Sequence, residues 1–193
     1  MANPSETSRP RRLMTLWILL AVCVMPFVAS FGLYHLAPPD TRMNYGELLT
    51  TTPLPVVQGK GLDGKADQLD RLRGKWVLLQ VDSGECDRRC VTKLYKMRQV
   101  RQTQNKNIER IERAWLVSDD KPIDPNLLKF YEGTMVLRVG APAISHFPAT
   151  TNVREHIWLI DPLGNLVLRY PPDADPTGMK NDLTRLLKVS QIG

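Results

Sequence analysis

The chain has 193 residues, of which 42% are hydrophobic and 24% are charged, and its formal net charge is +6 at pH 7. This balance is typical of a globular protein and excludes the disordered and fibrous classes. The basic residues form no arginine-rich tract and no patch with interleaved aromatic residues. The composition therefore gives no support for nucleic-acid binding.

The first element is an apolar segment near the N-terminus. Arg9, Arg11 and Arg12 precede an uncharged run that extends from Leu13 to Leu36. A run of this length predicts one transmembrane helix over residues 13–37. Because arginines keep their end of a helix in the cytoplasm, residues 1–12 are predicted to be cytoplasmic. The rest of the chain then lies outside, which in a bacterium makes this a single-pass inner-membrane protein with a periplasmic C-terminal domain.

Two other interpretations of this segment remain open. Small residues in the stretch FVAS follow Pro26 and would suit a cleaved signal peptide. The stretch LAVC, which ends at Cys23, has some likeness to a lipoprotein signal. Otherwise Cys23 is most simply a packing residue within the membrane.

The exported part is predicted to be a linker followed by one α/β domain. Residues 38–53 are rich in proline and threonine, which predicts a linker, and residues 54–193 alternate between strand and helix patterns. The predicted elements in chain order are a short hairpin in PLPVVQGKGLDGKADQL, a buried strand in GKWVLLQVD, a helix from Asp87 to about Lys106, a strand in RAWLVSDD, a helix in DPNLLKFYEG, a strand in TMVLRVG, two antiparallel strands in HIWLIDPLGNLVLRY, and a C-terminal amphipathic helix.

A set of basic residues lies on and after the first helix of this domain. Its members are Lys93, Lys96, Arg98, Arg101, Lys106, Arg110 and Arg113. We interpret the set mainly as a solvated helix face. The alternative is docking to the acidic surface of a partner protein or to anionic lipid.

Two cysteines four positions apart mark the candidate site. Cys86 and Cys90 follow the buried strand and open the first helix of the domain, and side chains at i and i+4 share a helix face. The helix N-terminus together with Arg88 and Arg89 would stabilise a thiolate, whereas neighbouring acidic residues oppose this effect.

Such a pair supports several kinds of chemistry. The two sulfurs can form a disulfide, exchange with another disulfide, or bind Cu(I) or, less readily, zinc. A metal would need a third ligand, for which His146 and His156 are the candidates in the exported part. A purely structural disulfide is the simpler alternative, but one that closes so short a loop stabilises little. Location at the end of a central strand also favours a reactive pair.

The order of elements resembles the thioredoxin-like fold with an N-terminal β-hairpin. The stretches GKWVLLQVDSGECDRRCVTKLYKMRQV, VSDDKPIDPNLLKFY and IWLIDPLGNLVLRY resemble the Sco/SenC family. The resemblance implies a membrane-tethered copper chaperone for cytochrome c oxidase assembly. It also implies Cu(I) held by Cys86 and Cys90 with His156 as the candidate third ligand, and a partner such as cytochrome c oxidase subunit II or another copper or thiol protein.

Three functions remain in competition. The first is delivery of Cu(I) to the binuclear copper site of the oxidase, or reduction of the cysteines at that site. The second is a thiol-disulfide oxidoreductase or redox sensor without a metal role. The third is an interaction domain that has no redox activity and binds a partner through its basic helix.

Overall fold

The structure is a computed structural model that describes residues 9–36, 44–148, 152–190 and 192. It contains two compact units, Met1–Met43 and Asn44–Gly193. The first unit contains helix α1, Arg9–Leu36. Within it, Leu13–Leu33 has a mean hydropathy of 2.3, and among the described residues this is the one helix long and apolar enough to cross a membrane. The sequence prediction of an apolar spanning helix agrees with this element, although position 37 lies outside the described residues.

In its described residues the second unit is built on one eight-stranded sheet with four helices and three 3-10 turns around it. Its elements are β1 Glu47–Pro53, β2 Gln58–Lys60, β3 Ala66–Gln68, a 3-10 turn at Leu69–Leu72, β4 Trp76–Asp82, α2 Arg88–Gln102, a 3-10 turn at Asn105–Arg110, β5 Ile111–Val117, α3 Pro125–Phe130, β6 Thr134–Arg138, α4 Ala141–Ile144, a 3-10 turn at Val153–Glu155, β7 Ile157–Ile160, β8 Asn165–Tyr170 and α5 Pro176–Val189. The strand order is β1-β8-β7-β4-β5-β6-β2-β3.

Strand β4 lies at the centre of the sheet. It pairs in parallel with β5 and antiparallel with β7, and all seven of its residues are buried. A strand covered on both faces needs a nearly continuous apolar sequence, which the stretch WVLLQVD provides apart from Gln80 and Asp82. The predicted central strand is confirmed, and so is the α/β, thioredoxin-like arrangement.

The core has two layers, one on each face of the sheet. Leu78 and Leu159 pack with residues of α2 and α5 on one face. Leu79 and Trp158 belong to the layer on the other face. Because side chains alternate along a strand, neighbouring residues of β4 and β7 enter different layers. This alternation decides which side chains can reach the cysteines.

The predicted linker over residues 38–53 is wrong for its second half. Glu47–Pro53 forms β1, which pairs antiparallel with β8, and the carboxylate of Glu47 forms an ion pair with Arg169 at 2.7 Å. The backbone N–H groups of Tyr45 and Gly46 donate to the buried carboxylate of Asp182, at 2.9 and 2.8 Å. These bonds attach the start of the unit to α5. Residues 38–43 of the predicted linker lie outside the described residues.

Helix α2 is shorter than its predicted extent. It begins at Arg88 and ends at Gln102, and Asn105, with φ 47°, begins a separate 3-10 turn. The interpretation of the basic set as a solvated face is also wrong for two members. Lys93 is 3% exposed and Arg113 is 5% exposed, so both charges are inside the protein.

Candidate functional site

The two cysteines lie at the carboxyl end of β4, where the chain turns into α2. Their sulfurs form a disulfide, and the two Cα atoms are 5.1 Å apart. Asp87 caps the helix, because its carboxylate accepts a hydrogen bond from the backbone N–H of Cys90 at 2.9 Å. This bond lowers the pKa of Asp87 below its ordinary value. The cap and the disulfide together define the first turn of the helix.

The backbone at Cys86 has a left-handed conformation, with φ 44°. Residues other than glycine, asparagine and aspartate rarely adopt this conformation, because Cβ then approaches the following carbonyl group. The preceding loop is held by a close contact at Gly84. Its N–H donates to the Asp119 carboxylate at 2.8 Å, and a Cβ atom at this position would lie 2.2 Å from the carbonyl oxygen of Lys121. Only glycine fits this approach without movement of the backbone.

The two sulfurs differ in their access to solvent. Cys86 is 8% exposed and lines a cleft of about 710 Å³, whereas Cys90 is fully buried and does not line that cleft. An incoming thiol or disulfide therefore reaches Cys86 first.

Charged residues surround this cleft. Its cationic side chains are Arg88, Arg89, Lys93, Lys121 and Arg154, and its acidic ones are Asp82, Glu85, Asp87 and Glu155. Lys121 forms an ion pair with Glu85, which raises the pKa of Lys121, and Arg89 lies 3.8 Å from Asp87. Arg154 donates to the Ser118 hydroxyl at 2.7 Å. Cations and the N-terminus of α2 both favour a thiolate at Cys86.

A buried ion pair forms the floor of the cleft. The Lys93 ammonium lies 2.6 Å from the Asp82 carboxylate, and it also donates to the carbonyl oxygen of Arg154. Burial raises the pKa of Asp82 and lowers that of Lys93, and in both cases it outweighs the attraction between the two charges. The sequence pattern of α2 did not predict this pair. A carboxylate at the end of an otherwise apolar strand was the available signal.

Gln80 provides a polar contact to the buried sulfur. Its side chain is fully buried in β4, and its amide Nε2 donates to Cys90 Sγ at 3.4 Å. Its Oε1 has no hydrogen-bond partner among the described residues. Buried polar groups are usually satisfied, so an amide whose contact is a sulfur atom points to a role in the chemistry of that sulfur.

The structure does not bring the predicted histidine ligands to the two sulfurs. The His156 ring packs against Trp158, with ring centroids 5.6 Å apart, and its Nδ1 is 2.9 Å from the Tyr170 carbonyl oxygen. Trp158 belongs to the core layer on the face opposite the cysteines. His146 is exposed in the turn after α4. In the described ranges, no group of three His, Cys, Asp or Glu side chains is arranged to hold a metal ion.

Solved structures with the same fold were found by structural comparison. Bradyrhizobium japonicum ScoI with copper bound is 20% identical, with a TM-score of 0.55, covering 69% of this chain and 99% of that chain. Yeast Sco1 with copper bound is 16% identical, with a TM-score of 0.61, covering 74% of this chain and 96% of that one. The thioredoxin domain of a thiol-disulfide oxidoreductase from Bacteroides vulgatus is 16% identical, with a TM-score of 0.55 and coverage of 72% and 98%.

These likenesses confirm the thioredoxin-like fold, and Sco proteins are among the neighbours, as the sequence resemblance predicted. The fold and the site define a thioredoxin-like domain with a cysteine pair at the start of a helix. The chain belongs to the family described as transmembrane-like, thioredoxin-like, C-terminal domain, whose model matches residues 76–190. No curated protein matches the sequence.

Proposed function

We propose that this protein is a Sco-like assembly factor whose Cys86–Cys90 pair reduces the cysteines of a copper site in a partner protein. The leading candidate for that partner is cytochrome c oxidase subunit II. The observation that carries the proposal is the disulfide at the N-terminus of α2, with one sulfur at a cleft lined by charged residues of both signs and the other buried. This arrangement suits exchange with a protein disulfide better than it suits a static crosslink, because a loop this short stabilises little.

The reaction begins from the dithiol, which another thiol protein would generate by donating two electrons and two protons. The Cys86 thiolate attacks one sulfur of the partner disulfide, and the other partner sulfur leaves as a thiolate. Cys90 then loses its proton and attacks Cys86 Sγ, which breaks the mixed disulfide and restores the Cys86–Cys90 bond. The partner leaves with both cysteines reduced, and this chain is oxidised by two electrons.

The surrounding residues support these steps in different ways. The helix N-terminus and the cleft cations stabilise the Cys86 thiolate, and the Gln80 amide can donate to Cys90 when it carries negative charge. The Asp87 cap holds the first turn in place, so that Cys90 remains within reach of Cys86. The Asp82 carboxylate and the Lys93 ammonium form a buried ion pair at the floor of the cleft, where both charged groups are shielded from solvent.

Carriage of Cu(I) as cargo is the second candidate. Two thiolates, one just before the N-cap of α2 and one in its first turn, are soft donors that suit Cu(I), and two of the structural neighbours are Sco proteins with copper bound. The sulfurs fit as two ligands after reduction. His156 remains the candidate third ligand, but it would first have to give up its contact with Tyr170 and reach the other face of the sheet. Without His156, the site offers Cu(I) two sulfur ligands.

The apolar helix α1 supports a membrane location for the protein, which suits the proposed exchange reaction. We propose that it anchors the protein in the inner membrane and that residues 44–193 lie in the periplasm, where a disulfide is stable. The arginines before Leu13 favour this orientation.

Trapping of the mixed disulfide tests the exchange reaction. Full-length Cys90→Ser in detergent should retain the partner as a covalent complex, because the resolving thiol is missing, whereas Cys86→Ser should trap little. The measurement is non-reducing electrophoresis after mixing with oxidised subunit II. Equal trapping by the two variants, or by neither, would contradict the proposed order of attack.

Copper titration separates the two candidates. If the protein carries Cu(I), the reduced wild type should bind one Cu(I). The Cys86→Ser, Cys90→Ser double variant should bind none. X-ray absorption should show two sulfur ligands, plus one nitrogen only if His156 moves. His156→Ala then weakens copper binding, whereas it leaves disulfide exchange unchanged.

A further inference from the structure

A second cleft lies at the opposite end of α2 from the cysteines. It encloses about 420 Å³ between the last turns of α2, the start of β5 and the end of α3. From Cys90 to Arg101 the helix rises by roughly 16 Å, at about 1.5 Å per residue. Neither the exchange reaction nor copper carriage uses this cleft.

The cleft is strongly cationic. Four of its side chains carry positive charge, and Glu132 is the one acidic residue among those that line it. The cations are Arg98, Arg101, Arg113 and Lys129. None of them forms an ion pair within the part of the chain that the structure describes. A concentration of like charge of this kind is unfavourable unless an anion joins it.

Backbone carbonyl groups hold the three guanidinium groups in place. Arg98 donates to the carbonyl oxygen of Phe130 at 3.1 Å, and its guanidinium lies 4.8 Å from the centroid of the Phe130 ring. Arg101 donates to Ile111 O at 2.6 Å, and Arg113 donates to Glu132 O at 2.7 Å. These bonds orient the side chains, but a neutral carbonyl does not cancel their charge.

Arg113 provides the second, independent indication of a ligand. It is 5% exposed, and its Nε and Nη1 have no hydrogen-bond partner among the described residues. Burial, followed by the charges of Arg101 and Arg98, lowers the pKa of its guanidinium below the ordinary value. A buried cation with two unpartnered nitrogens is costly, and an anion in the cleft that Arg113 lines would offset that cost through its charge.

The geometry points to a binding site for a phosphate group in this cleft, contacted by Arg98, Arg101, Arg113 and Lys129. Guanidinium forks match the paired oxygens of phosphate, and an ammonium adds a further charge. The phosphate would come either from the headgroup of an anionic phospholipid or from free inorganic phosphate. Both sources share the chemistry that the cleft recognises.

Binding of inorganic phosphate to the full chain in a phosphate-free detergent provides the test. Isothermal titration at constant ionic strength should show saturable binding to one site. Arg101→Gln and Lys129→Gln should each weaken the affinity by about tenfold, since each removes a charge-assisted hydrogen bond. Lys106→Gln is the matched control, because Lys106 is exposed and does not line the cleft, so its affinity should equal that of the wild type.

Arg113→Met should abolish binding, but this variant removes a buried side chain and could fail to fold. The two peripheral variants therefore decide the outcome independently of it. Absence of phosphate binding by the folded wild type, or equal affinities for Arg101→Gln, Lys129→Gln and Lys106→Gln, would overturn the proposal.

Nanodiscs distinguish the two sources of phosphate. The titration is repeated with the full chain in phosphatidylcholine nanodiscs and in nanodiscs that also contain one third phosphatidylglycerol. Loss of inorganic phosphate binding in the presence of phosphatidylglycerol supports a lipid headgroup as the ligand. Unchanged binding in both supports free phosphate.

Discussion

Replacement of Gln80 by methionine tests whether the core amide controls the redox chemistry of the cysteines. The change keeps the length of the side chain and removes the donor that lies 3.4 Å from Cys90 Sγ. A disulfide sulfur is a weak acceptor, whereas a thiolate accepts strongly. The amide therefore stabilises the reduced state more than the oxidised state, and its loss should make the disulfide harder to reduce.

The magnitude follows from the energy of one hydrogen bond to a charged group. Such bonds contribute about 1.5–3 kcal/mol, and the weak bond to the disulfide is subtracted, which leaves roughly 1–2 kcal/mol. For a two-electron couple about 1.4 kcal/mol corresponds to about 30 mV, so the midpoint potential should fall by about 20–45 mV at a pH where Cys90 of the reduced protein is a thiolate, and by less where it is a thiol. The shift should grow with pH as the thiol ionises.

Equilibration with glutathione redox buffers, with the fraction oxidised measured by thiol alkylation, provides the assay. Gln104→Met is the matched control. Gln104 is also buried, at 5% exposure, but its amide donates to Lys180 O and accepts from the Thr184 hydroxyl, away from the cysteines. The control should lose stability and keep the wild-type potential. An unchanged potential in Gln80→Met, or equal shifts in both variants, would refute the reasoning.

Three further predictions concern stability and are checked by urea unfolding of the oxidised protein. Lys93→Met should cost about 3–5 kcal/mol because it leaves the buried Asp82 carboxylate unpaired, and Asp82→Leu combined with Lys93→Met should recover most of that loss. In Lys93→Met the pKa of Asp82 is higher in the folded than in the unfolded state, so the loss of stability should grow as pH rises from the unfolded to the folded pKa. A double variant no more stable than Lys93→Met would contradict the proposed cost of an unpaired carboxylate. Gly84→Ala should cost about 1–3 kcal/mol through its contact with Lys121 O, whereas Gly140→Ala, which meets only ordinary contacts, should be tolerated. Asp87→Ala should cost about 0.5–2 kcal/mol at neutral pH through loss of the cap. Because the folded pKa of Asp87 is lowered, this cost should vanish as pH falls below about 4, the ordinary pKa of Asp, and a cost that persists in acid would count against the cap.

The parts of the fold that local patterns determine were predictable from the sequence. The central strand, the helix caps at Asp124 and Asp175 and the β7–β8 hairpin all have local signals, and each is present. The spacing predicted that Cys86 and Cys90 meet, and they do, but Cys86 lies before the N-cap of α2 in a left-handed conformation and not on the helix. The strand β1 was missed because its three threonines and its final Pro53 resemble a linker, and only pairing with the distant β8 makes it a strand.

The environment of the site depended on tertiary contacts that the sequence pattern could not provide. Lys93 belongs to the set that the sequence assigned to a solvated helix face, yet its side chain is buried and forms an ion pair with Asp82 at the end of β4. The face on which His156 lies depends on the register of β7, and an odd shift along a strand reverses it. The charge of Arg113 is covered by residues of α2 and of the end of α3, and the alternating pattern of β5 does not show that these elements pack over it.

The left-handed backbone at Cys86 has a consequence for related sequences. A β-carbon at this position is tolerated at a cost, which glycine would remove and which asparagine would lower through local hydrogen bonds of its short side chain. Mutational drift in a lineage without need of the sulfur should therefore replace this cysteine early, with a bias towards those two residues. Where homologues are compared, retention of cysteine at this one position serves as a marker of a working exchange centre.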